Sequence, residues 1–147
     1  MTALALSLVS TLPTLSADTP VQISDNINIA GHWSFNARIQ TECTFGGTAV
    51  LTSSGVDTYS VDLTARQSCV SLEEDYLVRQ ECVGRQFGNQ LSVRCKIAEF
   101  LNGFESPYYY SDNFTLTIAS GARMHGALIS AGNASPAEWT RSEGGIS

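Results

Sequence analysis

From Ile29 onward the apolar residues recur two positions apart. Trp33, Phe35, Ala37 and Ile39 fall on one face, with Ser34, Asn36 and Arg38 on the other. That period of two belongs to a strand with one buried face. The same alternation predicts a second strand over 43–52, with Cys43, Phe45, Gly47, Ala49 and Leu51 inward. A third over 58–69 turns Tyr59, Val61, Leu63 and Ala65 inward. A fourth over 76–87 places Tyr76, Val78, Cys82 and Gly84 on one face. A fifth over 90–98 does so with Leu91, Val93, Cys95 and Ile97. Three more follow, over 108–119 (core Phe114, Leu116, Ile118), 122–130 (Met124, Gly126, Leu128) and 137–141. Turns are expected at 53–57, at Gly88-Asn89, at Gly121 and over 132–136. Loops are expected at 70–75 and 99–107. No stretch has a helical period.

Eight short strands with brief connections predict an all-β domain, and the up-and-down path favours a single antiparallel barrel over a sandwich. Closure removes the exposed edges an open sheet would leave. Gly31-His32-Trp33 opens the first strand and Trp139-Thr140-Arg141 closes the last, as expected if those two strands meet.

The hairpin at Gly88-Asn89 fixes a register. If Phe87 faces Gln90, then Gly84 faces Val93 and Cys82 faces Cys95, in a non-hydrogen-bonded pair close enough for a disulfide. A hairpin centred on Val56 likewise puts Cys43 opposite Cys69. The predicted bridges are therefore Cys43–Cys69 and Cys82–Cys95. The alternative, Cys69–Cys82 with Cys43–Cys95, stays open because the 70–75 loop could bring the first two together. Two disulfides imply an oxidising compartment, secreted or periplasmic.

Composition narrows the function classes. Of 147 residues, 15% are charged, against about 25% in ordinary domains, which suits a β protein. The net charge of −6 disfavours a nucleic-acid partner. His32 and His125 lack metal-ligand spacing, no cysteines form a Cys-x-x-Cys pair, and no serine has a nucleophile-elbow setting. No metal, cofactor or catalytic residue is expected, and the chain reads as a non-enzyme. Glu73-Glu74-Asp75 matches no calcium loop and reads as a solvated turn. Asn113-Phe-Thr115 and Asn133-Ala-Ser135 fit the glycosylation acceptor pattern. Residues 1–17 are charge-free and apolar, like a secretory signal ending at Leu15-Ser16-Ala17, though without a basic start. Residues 18–28 read as an exposed arm, 29–142 as the barrel and 143–147 as a polar tail. No run is long and apolar enough for a membrane span.

Gly31-x-Trp33 with a late Arg141 resembles the calycin group of small barrels, which includes lipocalins and avidin-like proteins. That resemblance implies an eight-stranded barrel plugged at one end by Trp33, with Arg141 packed across its ring, and a ligand or protein bound at the open end. Gly-x-Trp followed by a cysteine, here Cys43, is also similar to bacterial periplasmic metalloprotease inhibitors. In those an N-terminal arm enters the protease cleft, a part the 18–28 arm could play. The chain departs from them in having four cysteines.

The candidate binding residues are Phe100, Leu101 and Phe104 in the 99–107 loop, with Tyr108, Tyr109 and Tyr110. Tyrosine supplies contact area at low entropic cost. The competing reading makes the loop a cover for the core and the tyrosines a strand start with Tyr109 inward. The inward set mixes large side chains with small ones, and the large ones are expected to fill the bore. A partner protein or small ligand would then bind at the rim and not deep inside.

Overall fold

A computed structural model describes residues 27–39, 42–102 and 105–142. Eight antiparallel strands run β1 (Gly31–Ala37), β2 (Cys43–Gly55), β3 (Thr58–Cys69), β4 (Tyr76–Phe87), β5 (Gln90–Asn102), β6 (Asn113–Ser120), β7 (Arg123–Ser130) and β8 (Asn133–Arg141). Each pairs with the next, and β1 pairs with β8, closing the predicted up-and-down barrel. The expected inward sets of β1, β2, β3 and β6 are the observed ones.

The bore is filled. Phe35, Phe114 and Trp139 meet across it, with ring centroids 5.0 to 5.3 Å apart, and Phe45 lies 5.9 Å from Phe35. Leu63, Leu91, Leu116, Val78 and Val93 complete the layer without solvent contact. Each such side chain contributes about 1.5–3 kcal/mol by leaving water. Gly47 makes one close approach possible, since a Cβ there would sit 1.9 Å from the Thr64 carbonyl oxygen.

Both disulfides form as the register requires. Cys82 faces Cys95 and Cys43 faces Cys69, each pair with Cα atoms 4.0 Å apart. The alternative pairing is excluded.

Four boundaries differ from expectation. The β7–β8 turn is the two-residue Ala131-Gly132, both with positive φ, so β8 starts at Asn133 and not after Pro136. A two-residue hairpin makes Ala127–Pro136 a non-hydrogen-bonded pair, so β7 needs no proline N–H; on the β1 side Pro136 still accepts from the Arg38 N–H at 3.0 Å, and its missing N–H falls where that ladder ends. β2 runs on to Gly55 through a bulge, leaving Val56-Asp57 as the turn. β5 continues to Asn102, because β4 and β5 absorb two extra residues as bulges and keep pairing; Phe100 and Leu101 therefore lie on a strand and not in a loop. β6 begins at Asn113, not at 108, because the preceding backbone is drawn towards the bore, as described below.

Candidate functional site

The up-and-down path sends connections alternately to two ends, and the two ends differ. One is sealed. Trp33 is fully buried there and donates its indole N–H to the Ile29 carbonyl at 2.9 Å. The Arg141 guanidinium carbon lies 4.7 Å from the Trp33 ring centroid, a cation–π arrangement. Its three nitrogens donate to the carbonyls of Gly121 (2.6 Å), Ala30 (2.6 Å) and Asn28 (3.0 Å). Gln86 is buried beneath, donating to the Ile27 carbonyl and accepting from the Tyr59 hydroxyl.

The other end is built by the segment 105–112 between β5 and β6. Tyr109 and Asp112 are buried in it, and both meet Gln80, an inward residue of β4 with no solvent exposure. Gln80 Nε2 donates to Asp112 Oδ2 at 2.6 Å, and its Oε1 accepts from the Asp112 backbone N–H at 2.9 Å. The Tyr109 hydroxyl donates to the same carboxylate oxygen at 2.7 Å. The Tyr109 ring packs on Tyr76 and Phe100, with centroids 5.2 and 6.0 Å away. Ser130 ties β7 to this segment by donating to the Ser111 carbonyl.

Burial raises the Asp112 carboxyl above its ordinary range, an effect opposed by hydrogen bonds from Gln80, Tyr109 and Ser130. Burial also pushes the Tyr109 hydroxyl far above the phenol range, with the Asp112 charge adding to it, so the hydroxyl remains a donor. The alternation of β4 did not reveal Gln80 or Gln86. Polar residues at inward positions erase the apolar signal, and Asp112, a partner of Gln80, and Tyr59 and Ile27, partners of Gln86, lie tens of residues away in sequence.

The predicted binding residues separate into two sets. Tyr109 turns inward, and Phe100 lies half-buried against it. Tyr108 is 84% exposed, Tyr110 57% and Leu101 45%. Phe104 lies outside the described residues, as do residues 1–17, all of the arm but Ile27 and Asn28, and the 143–147 tail. Beside the rim, Ile39, Gln67, Leu128, Ser130 and Asn133–Ser135 line an open groove of about 410 Å³. Exposed acidic residues ring this end: Glu42, Glu73, Glu74, Glu99 and Glu105. Asp75 pairs with Arg66 at 3.0 Å.

Among the described residues, no group of three or more His, Cys, Asp or Glu could hold a metal ion, and no helix is long and apolar enough to cross a membrane. His125 faces Glu138 on the outer wall, while His32 lies on β1. Of the two glycosylation patterns, Asn113 is half-buried with its side-chain oxygen accepting the Cys95 N–H, whereas Asn133 is exposed at the β7–β8 turn. No protein-family model matches the chain, and no curated protein does either. The closed eight-stranded barrel is consistent with a calycin-like fold.

Proposed function

We propose that this chain is a secreted or periplasmic, non-enzymatic binding protein that recognises a partner protein at the open end of its barrel. The supporting observation is the contrast within Tyr108-Tyr109-Tyr110. The middle ring is held by Asp112, Tyr76 and Phe100, with Gln80 fixing Asp112, while its two neighbours stand in solvent, as does Leu101 at the end of β5. Rigid aromatic side chains on a held backbone bind with little loss of entropy. The packing of Phe35, Phe114 and Trp139 across the bore favours a protein at the rim over a long lipid tail buried inside. The acidic ring favours a basic partner surface.

The second reading is a protease inhibitor working through its N-terminal arm. It is supported by the anchoring of Ile27, Asn28 and Ala30 to Gln86 and Arg141, which fixes the point from which an arm would extend. The test compares wild type, the triple variant Leu101→Ser/Tyr108→Ser/Tyr110→Ser and a chain lacking residues 18–26. Each is immobilised against periplasmic or secreted extract and assayed against a metalloprotease panel. Rim recognition predicts a specific partner lost with the triple variant and kept with the deletion, and no protease inhibition. Inhibition abolished by the deletion alone would replace the proposal with the second reading.

A further inference from the structure

β5 outruns β6. The two strands pair only from Gln90–Thr117 to Val93–Phe114, although β5 continues to Asn102. The β6 side of the last stretch of β5 is left open because the chain before Asn113 turns towards the bore, where Gln80 takes the Asp112 N–H. The first open position is filled by a side chain, the Cys95 N–H donating to Asn113 Oδ1 at 2.8 Å. That bond shows which way the edge faces. Cys95 points its N–H away from β4, and so does Ile97, two residues on in unbroken register (Cys82–Cys95, Glu81–Lys96, Gln80–Ile97). Among the described residues, nothing accepts from the Ile97 N–H. Leu101 lies at the end of this edge.

We infer that this edge is a strand-addition site, at which an extended, basic segment of the partner protein pairs with β5 from Ile97 towards Asn102. The inference rests on the rim reading above and specifies how the partner is held. Main-chain pairing would give affinity, with Leu101 and the rim tyrosines meeting alternate side chains of the guest. Glu99 on the strand and Glu105 just past it select basic residues. The edge is also guarded. Bulges at Ala98 and Leu101, with Lys96 and Glu99, interrupt a flat template, so only a matched guest pairs well. A second copy of this chain is disfavoured where the symmetric antiparallel axis passes through Glu99, because that pairing sets Glu99 against Glu99.

The test uses a capped peptide of about nine residues, alternating Lys with Val and Thr, and a counterpart with Glu for Lys. Amide NMR of the full chain should show shifts at Ile97–Phe100 with the Lys peptide, and at least fivefold slower exchange of the Ile97 amide. The Glu peptide should do neither. Ile97→Pro removes the free N–H without touching the β4 ladder and should weaken binding at least tenfold. Ile97→Ala controls for the lost side chain and should bind within twofold of wild type. Melting of each variant checks its fold; if Ile97→Pro does not fold, the location of wild-type exchange protection decides. No protection at Ile97 at millimolar Lys peptide, or equal binding by a folded Ile97→Pro, would overturn strand addition. So would a concentration-dependent dimer abolished by Ile97→Pro, which would assign the edge to self-pairing. A partner lost with the rim triple variant but retained by Ile97→Pro would sink this inference and leave the rim reading standing.

Discussion

Tyr109→Phe isolates one hydrogen bond. The ring contacts with Tyr76 and Phe100 remain, and only the hydroxyl that donates to Asp112 Oδ2 at 2.7 Å is lost. A hydrogen bond to a charged group is worth about 1.5–3 kcal/mol, and one to a neutral group about 0.5–1.5 kcal/mol. Asp112 retains the Gln80 donor, so the carboxylate is weakened in its hydration substitute but not stripped of it. At neutral pH the variant should therefore lose about 1.5–3 kcal/mol, or roughly 5–15 °C in Tm for a domain of this size. The loss should shrink as pH falls through the raised pKa of folded Asp112, because a protonated carboxyl gains less from the donor. Tyr109 itself stays protonated throughout, so it adds no titration of its own. Urea unfolding of both proteins at several pH values between about 3.5 and 8 measures the difference directly. A deficit under 0.5 kcal/mol at neutral pH, or one that does not change with pH, would refute the assignment of this bond as the lock on the capping segment.

Asp112→Asn keeps an acceptor for Gln80 and Tyr109 but cannot ionise. Because folding raises the Asp112 pKa, the folded protein holds a proton that the unfolded chain has lost, so its contribution to stability falls as pH rises from about 4 through the folded value; the variant should lack that decline, seen as a wild-type-minus-variant difference in urea titrations. Loop-closure entropy assigns about 3.5 kcal/mol to Cys43–Cys69, with a separation of 26, and about 3 kcal/mol to Cys82–Cys95, with a separation of 13. Replacing each pair by alanine should lower stability in that order by urea unfolding. Gly47→Ala would drive a methyl into the Thr64 carbonyl and should cost over about 3 kcal/mol or prevent folding, whereas Gly88→Ala, with open space around it, should cost about 1 kcal/mol through its positive φ.

Much of the barrel was legible because its physics is local. A period of two assigned the inward residues of β1, β2 and β3, and one glycine turn carried the register from Phe87–Gln90 back to Cys82–Cys95. The boundaries that slipped were decided by non-local groups. β6 starts late because Gln80, 32 residues earlier, captures Asp112, and no local pattern encodes that. Pro136 marked a turn by composition, yet its place in a non-hydrogen-bonded pair at the end of the β1 ladder lets it stay in a strand. For the candidate site, the three tyrosines were visible as a cluster. Their division into one locked ring and two exposed ones depends on Gln80 and Asp112, neither of which stands out in the sequence.

The arrangement of the two ends bears on which functional reading the fold can serve. At the sealed end one guanidinium satisfies the carbonyls of Asn28, Ala30 and Gly121 while lying over Trp33. A planar fork of donors can do this, and a lysine point charge cannot. This clamp joins the chain entering β1 to the β6–β7 turn and lies over the buried Trp33 ring on that side. At the opposite end the cap is held from within by Gln80 and Asp112, and its outer surface carries Tyr108 and Tyr110. An arm leaving Ile27 and a partner seated on the rim would thus occupy opposite ends of a rigid, filled barrel. With Phe35, Phe114 and Trp139 packed together between them, each mode should be insensitive to loss of the other. Deletion of residues 18–26 and substitution of the rim therefore report on separate surfaces, and each functional reading can fail without disturbing the other.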